Sequence, residues 1–190
     1  MAENFIKFIK VREVKSPTKA SDYEAGIDFY VPTNLTWSDL EEDNDNVKGY
    51  EFGRDFTVHP HTNPNTGFID RITLCAGTRI VIPSGIKCLI NPPYSMLMAA
   101  NKSGISTKYG LLYTAEIVDS TYTGEIHLGV ANNTRHSVVI EAGQKLIQFI
   151  HVPVYLTQPK MITDDQFEVG CNDEVRKLRG EKWQGSTGNK

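Results

Sequence analysis

Leu146-Ile147-Gln148-Phe149-Ile150-His151-Val152-Pro153-Val154 is the stretch that decides the fold class. Leu146, Gln148, Ile150, Val152 and Val154 fall on one side of an extended chain and Ile147, Phe149 and His151 on the other. The apolar period is two, which predicts a strand. The same period recurs in short runs at Phe5 to Val14, Gly26 to Val31, Arg79 to Ile82, Ile86 to Ile90, Leu97 to Ala100, Glu125 to Val130 and Val138 to Ile140. Turn formers separate them: Ala76-Gly77, Pro83-Ser84-Gly85, Asn91-Pro92-Pro93, Thr123-Gly124, Asn132-Asn133 and Ala142-Gly143. Eight or more short strands with no long amphipathic helix between them predict an all-β antiparallel sandwich or barrel rather than a βαβ fold. One or two short helices are expected at most, one of them just after Ser103.

Composition agrees. The 190 residues are 39% hydrophobic and 23% charged, which predicts one globular domain over residues 1–190. Such a chain buries about 70% of the surface exposed on unfolding and needs neither disulfides nor structural zinc. Twenty basic against 23 acidic residues, a net charge of −3, argue against a nucleic-acid partner. Cys75, Cys88 and Cys171 are odd in number and far apart, as expected of reduced thiols in a cytosolic protein. His59 and His61 flank Pro60 with no further ligand at zinc spacing. The polar start, with Lys7 and Lys10 interrupting its apolar stretch, fits neither a signal nor a transit peptide. No apolar run nears the roughly 18 residues that span a bilayer, so no membrane partner is expected and the location expected is the cytoplasm.

Two regions stand apart. Residues 33–69 carry an acidic run (Asp39, Glu41, Glu42, Asp43, Asp45) and His59-Pro60-His61-Thr62-Asn63-Pro64-Asn65 without sustained periodicity. They read as a long surface insertion that could take a protein partner. Residues 170–190 are too polar and glycine-rich to join a core and read as a flexible C-terminal arm.

Four segments bear on chemistry. Asn101-Lys102-Ser103-Gly104 combines an ammonium, a hydroxyl and a glycine that opens the backbone, which suits a phosphate; as a lone tetrapeptide it is more often an ordinary turn. Val118-Asp119-Ser120-Thr121-Tyr122-Thr123-Gly124-Glu125 places an acid and a tyrosine in a hairpin between apolar strands. Asp119 there is either a general base or a turn residue bonded to its own backbone. In Gly143-Gln144-Lys145-Leu146-Ile147-Gln148-Phe149, Gln148 breaks an apolar face and is either a satisfied core amide or a ligand contact. Arg179 followed by Gly185-Ser186-Thr187-Gly188 offers a cation, hydroxyls and backbone donors, the parts of a mobile phosphate clamp.

Together and in this order, with Ala25-Gly26-Ile27-Asp28 ahead of them, these segments resemble the five motifs of the trimeric dUTPase family, with a long insertion between the first two. The resemblance implies a jelly-roll-like distorted β-barrel assembled as a homotrimer, with active sites between subunits and the arm closing over the nucleotide. It implies hydrolysis of dUTP to dUMP and diphosphate, which keeps uracil out of DNA and supplies the thymidylate precursor. Asp119 would be the catalytic base and Tyr122 the sugar floor that rejects a 2′-hydroxyl. Lys102, Ser103, Gly104, Gln148, Arg179, Gly185, Ser186 and Thr187 would hold the triphosphate. Mg²⁺ would be carried mainly by the phosphates, with no direct protein ligand and Asp28 as a structural acid at the edge of the site.

The chain departs from the family pattern in three places. Lys102 stands where the family has Arg, Glu116 where it has Gly, and Trp183-Gln184 where it has Gly-Phe. Trp183 is therefore the aromatic expected to stack on the base. Two other readings stay open, a dCTP deaminase-like enzyme and a dUTPase-fold regulator acting through a protein partner. A viral source would place the protein in the host-cell cytoplasm.

Overall fold

The computed structural model describes residues 5–44 and 58–171, and the chain divides into two compact units, Met1–Tyr155 and Leu156–Lys190. The first holds β1 (Phe5–Lys10), β2 (Gly26–Tyr30), α1 (Trp37–Glu41), β3 (Val58–Thr62), β4 (Ile69–Leu74), β5 (Arg79–Pro83), β6 (Ile86–Asn91), β7 (Ser95–Asn101), α2 (Ser103–Tyr109), β8 (Leu111–Tyr113), β9 (Ile117–Asp119), β10 (His127–Asn132), β11 (Val138–Glu141) and β12 (Lys145–Pro153). The class is all-β, as the period predicts. Every ladder is antiparallel, and the strands form four sheets ordered β1-β6, β5-β10-β8, β11-β4-β3 and β2-β12-β7-β9. The sheets share one core in a jelly-roll-like arrangement, and among the described residues no ladder closes them into a continuous barrel.

Alternation of side chains explains the core. Ser95, Leu97 and Ala99 of β7, like Ile86, Cys88 and Ile90 of β6, turn inward while the residues between them are more exposed. Phe29 of β2 is fully enclosed and meets Phe8 and Phe149 edge-on, with ring centroids 5.7 and 4.7 Å away.

The described parts of residues 33–69 are not a plain surface loop. Leu35, Leu40, Val58 and Ile69 are all within 3% of complete burial. Helix α1 starts at a capping box, in which Asp39 accepts the Thr36 backbone N–H at 2.8 Å. Buried Asn44 imitates a strand residue along β5, donating to the Val81 carbonyl and accepting from its N–H, both at 2.7 Å. Strand β3 hides its period because Pro60 sits in it. It lies at the edge of its sheet, where a missing donor is tolerated, and it turns Val58 and Pro60 inward. Leu40→Ala should therefore lower stability by about 2–5 kcal/mol, read as a shifted urea midpoint. A shift below about 0.5 kcal/mol would restore the surface-loop reading.

The second unit holds α3 (Asp164–Cys171). Its start is a second capping box: the Thr163 N–H donates to Gln166 Oε1 at 3.1 Å, and the Gln166 N–H returns to Thr163 Oγ1 at 3.4 Å. Asp164 and Asp165 in the first turn suit the helix dipole. The arm expected from residue 170 lies, from 172 onward, outside the described residues.

Candidate active site

The sheet β2-β12-β7-β9 carries Asp28, Gln148 and Asp119 and leads at the end of β7 into Lys102, and a bulge in β12 decides which side chains meet. Gln148 lies opposite Asp28 and Ile147 opposite Phe29, yet Lys145 rather than Leu146 lies opposite Tyr30. Directly opposed residues in an antiparallel ladder share a face. The extra residue thus turns both Leu146 and Ile147 inward and brings Lys145 onto the face of Asp28 and Gln148. Lys145 Nζ then reaches Asp28 Oδ2 at 2.7 Å, while Lys102 Nζ, just past the end of β7, reaches Oδ1 at 2.9 Å.

Asp28 is 2% exposed, and its two ammonium partners keep it ionised. Burial pushes its carboxyl up, but the hydrogen bonds from Lys145 and Lys102 and the charges they carry outweigh this and hold it below the ordinary range. The same contact raises the Lys145 ammonium. Gln148 crosses to β7 and donates through Nε2 to the Asn101 carbonyl at 2.9 Å. Gly26 lies beneath it, and a methyl there would push the Gln148 amide out of its place. Ser103 opens α2 behind Lys102, and a side chain at Gly104 would meet only open space.

Asp119 and Tyr122 sit at the other end of this sheet, away from Asp28. The hairpin expected for residues 118–125 does not form: β9 pairs with β7 in one sheet and β10 with β5 and β8 in another, so the loop crosses between sheets. Asp119 ends β9, is exposed, and its carboxylate makes no bond among the described residues. Its carbonyl accepts the Tyr122 N–H at 3.0 Å. The Tyr122 phenol donates to the Glu125 carbonyl at 2.8 Å, lying so close over Gly124 that a methyl there would collide with it. Asp119 and Tyr122 line a cleft of about 220 Å³ with Glu116, Ile126, His127 and Phe149.

These two clusters lie at opposite ends of β7. Asp119 is registered against Met96, whereas Lys102 follows Asn101 at the far end. Six residues at about 3.3 Å each separate them by about 20 Å. The fold therefore gathers Asp28, Lys102, Ser103, Gly104 and Gln148 at one end and Asp119 with Tyr122 at the other. Arg179, Trp183, Gly185, Ser186 and Thr187 lie outside the described residues. Lys145 and His127 join the two clusters without a local signal of their own; a cation three residues before Gln148 is visible in the sequence, but only the bulge puts it on the same face.

No group of three His, Cys, Asp or Glu among the described residues could hold a metal ion. With a lysine on each of its carboxylate oxygens, Asp28 is engaged as an ion-pair partner. No described helix is long and apolar enough to cross a membrane.

Comparison with known proteins gives one family throughout. The model of the dUTPase family matches residues 69–170. Deoxyuridine 5′-triphosphate nucleotidohydrolases of Escherichia coli and Shigella boydii are 28% identical over 97 residues, which are 50% of this chain and 64% of each relative. The chain thus spans less than two-thirds, 64%, of the curated relatives it matches. Among solved structures, Staphylococcus bacteriophage 80alpha dUTPase with dUpNHpp is 16% identical at a TM-score of 0.67, covering 98% of this chain and 100% of that one. Native EIAV dUTPase is 20% identical at a TM-score of 0.55, covering 85% and 98%. These structures share the fold. The family match spans β4 to α3, including the loop of Asp119 and Tyr122, Lys102 at the start of α2 and the strand that holds Gln148, and by it the chain belongs to the dUTPase family.

Proposed function

We propose that this chain hydrolyses dUTP to dUMP and diphosphate as a homotrimer, with Asp119 and Tyr122 of one subunit facing Lys102, Ser103, Gly104 and Gln148 of the next. The observation that carries the reading is the roughly 20 Å between the two clusters on one chain, too far for both to serve a single reacting phosphate. A second copy of the chain would join them, and a three-fold ring is the assembly that the family resemblance implies. The cleft beside Asp119, about 220 Å³, is also smaller than the roughly 300 Å³ at which small-molecule sites begin, in keeping with a site that a neighbour completes.

In this reading Asp119, solvent-facing and without a partner among the described residues, accepts a proton from water. The oxygen of that water bonds to the α-phosphorus in line with the departing diphosphate, whose bridging P–O bond breaks. Lys102, Ser103, Gly104 and Gln148 hold the phosphates and stabilise the charge that develops. The resemblance implies that Arg179, Gly185, Ser186 and Thr187 complete that grip and that Trp183 stacks on the base; all five lie outside the described residues. Magnesium, held by the phosphates, supplies charge neutralisation when bound. The family's Arg makes a bidentate fork; Lys102 offers a single charge already shared with Asp28, so phosphate binding here draws on the Lys102–Asp28–Lys145 cluster.

Incubation with dUTP, dCTP and UTP followed by product chromatography tests the reading. Only dUTP should be consumed, giving dUMP and diphosphate, whereas a deaminated product from dCTP would overturn it. Tyr122→Ala should raise kcat/KM for UTP relative to dUTP by about tenfold or more, because the ring that rejects the 2′-hydroxyl is gone. An unchanged ratio would take Tyr122 out of that role.

A further inference from the structure

The loop carrying Tyr122 is gripped from outside the cleft by a chain of charges reaching α1. Glu125 receives the Tyr122 hydroxyl on its backbone oxygen at 2.8 Å. Its carboxylate is held by Arg12 Nε, 2.9 and 3.2 Å from its two oxygens, and by the Gly85 N–H at 2.6 Å. The same guanidinium donates through Nη1 to Asp39 Oδ1 at 2.7 Å. Asp39 is itself fixed, its other oxygen accepting the Thr36 N–H at 2.8 Å and hydroxyl at 2.7 Å. The side chains of Arg12, Asp39 and Glu125 are 23, 21 and 16% exposed, so these charges are partly shielded from water. A second contact runs parallel to the first: His127, on the cleft wall, lies 3.0 Å from Asp43.

We propose that Arg12 is a positioning residue for sugar selection. By clamping Glu125 between α1 and the turn after β5, it fixes the carbonyl on which the Tyr122 hydroxyl rests, and so sets where the ring meets the deoxyribose. The inference rests on the reading of Tyr122 as the sugar floor. Its physical basis is that a ring tethered by one hydrogen bond is no better placed than its acceptor, and a displacement near 1 Å can cost about a hundredfold in an oriented reaction. Charge-assisted bonds to a carboxylate are the strong kind, and two donors converge on Glu125 from separate elements. Arg12 and Asp39 lie far from the cleft-lining loop in sequence, and Asp39 belongs to the segment that reads as an insertion, so discrimination at the site is tied to α1.

The test is a mutant cycle with a spectroscopic readout. Arg12→Ala should raise the UTP to dUTP ratio of kcat/KM by about tenfold, and in a Tyr122→Ala background it should add no further change. Glu125→Gln, which keeps an acceptor for Gly85 but loses the charge, should move the ratio the same way by less, and serves alone if Arg12→Ala does not fold. In protein labelled with 3-fluorotyrosine, the ¹⁹F resonance absent from Tyr122→Phe identifies the ring, and Arg12→Ala or Glu125→Gln should shift it. An unmoved resonance, an unmoved ratio, or a ratio that still rises in the Tyr122→Ala background would overturn the inference. If Tyr122→Ala alone leaves the ratio unchanged while the resonance shifts, the reading of Tyr122 has failed and the structural link from Arg12 has not.

Discussion

Asp119→Asn should lower kcat for dUTP by about 10²–10⁴-fold, the contribution of a positioned general base, while nucleotide affinity stays within a few-fold of the parent. The fold gives this substitution unusual clarity. Asp119 is exposed at the end of β9 and its carboxylate has no partner among the described residues, so the isosteric amide should leave stability within about 0.5 kcal/mol. Steady-state kinetics and calorimetric titration with a non-hydrolysable analogue measure the two halves of the expectation. Substantial residual kcat would put the base elsewhere. Mixing the inactive protein with Lys102→Ala and reassembling the two tests where the site lies. If Asp119 and Lys102 act from different subunits, random reassembly at equal ratio restores both groups in about a quarter of the sites. If they act from one chain, no site is restored.

The double substitution Lys102→Met with Lys145→Met should destabilise the first unit by about 3 kcal/mol near neutral pH. That is the lower part of the range for breaking a buried ion pair, since both ammonium groups are partly solvated. The reason is Asp28: its side chain is 3% exposed and both of its oxygens are engaged by the lysines. In the parent the carboxyl sits below its ordinary value, so its contribution is present above the unfolded carboxylate range and is lost as pH falls through the folded value. Without the lysines only burial remains to act on it, so its folded value rises above the unfolded one. Stability should then be lowest at neutral pH and recover on acidification, opposite in sign to the parent. Denaturation midpoints at several pH values distinguish the two curves. Parallel curves would mean that the lysines are not what keeps Asp28 ionised.

Much of this protein is legible in its amino-acid order, because a half-buried strand alternates its side chains and leaves that period in the chain. Strands β6, β7 and β11 show it most plainly, alternating buried and more exposed residues. Strands β8 and β9 are three residues each, too short to hold a period, and the proline of β3 looks like a loop signal until its place at a sheet edge is known. Leu40 and Val58 lie in a stretch whose acidic and polar neighbours outnumber them, and only packing reveals that they face the core.

The family, the all-β class and the identity of Asp28, Lys102, Asp119, Tyr122 and Gln148 as notable residues were determined by the sequence alone, since each rests on residue type and local spacing. Which of them meet was decided by tertiary structure. A one-residue bulge in β12 turns Lys145 onto Asp28, and no local rule places a bulge when both Leu146 and Ile147 are equally able to face the core. The register of β9 against β7 puts Asp119 beside Met96 and about 20 Å from Lys102, so one chain holds the two clusters apart. The pairing of Arg12 with Glu125 spans 113 positions in the chain. Contacts of that separation depend on how whole sheets pack, and packing is a property of the assembled core rather than of any segment within it.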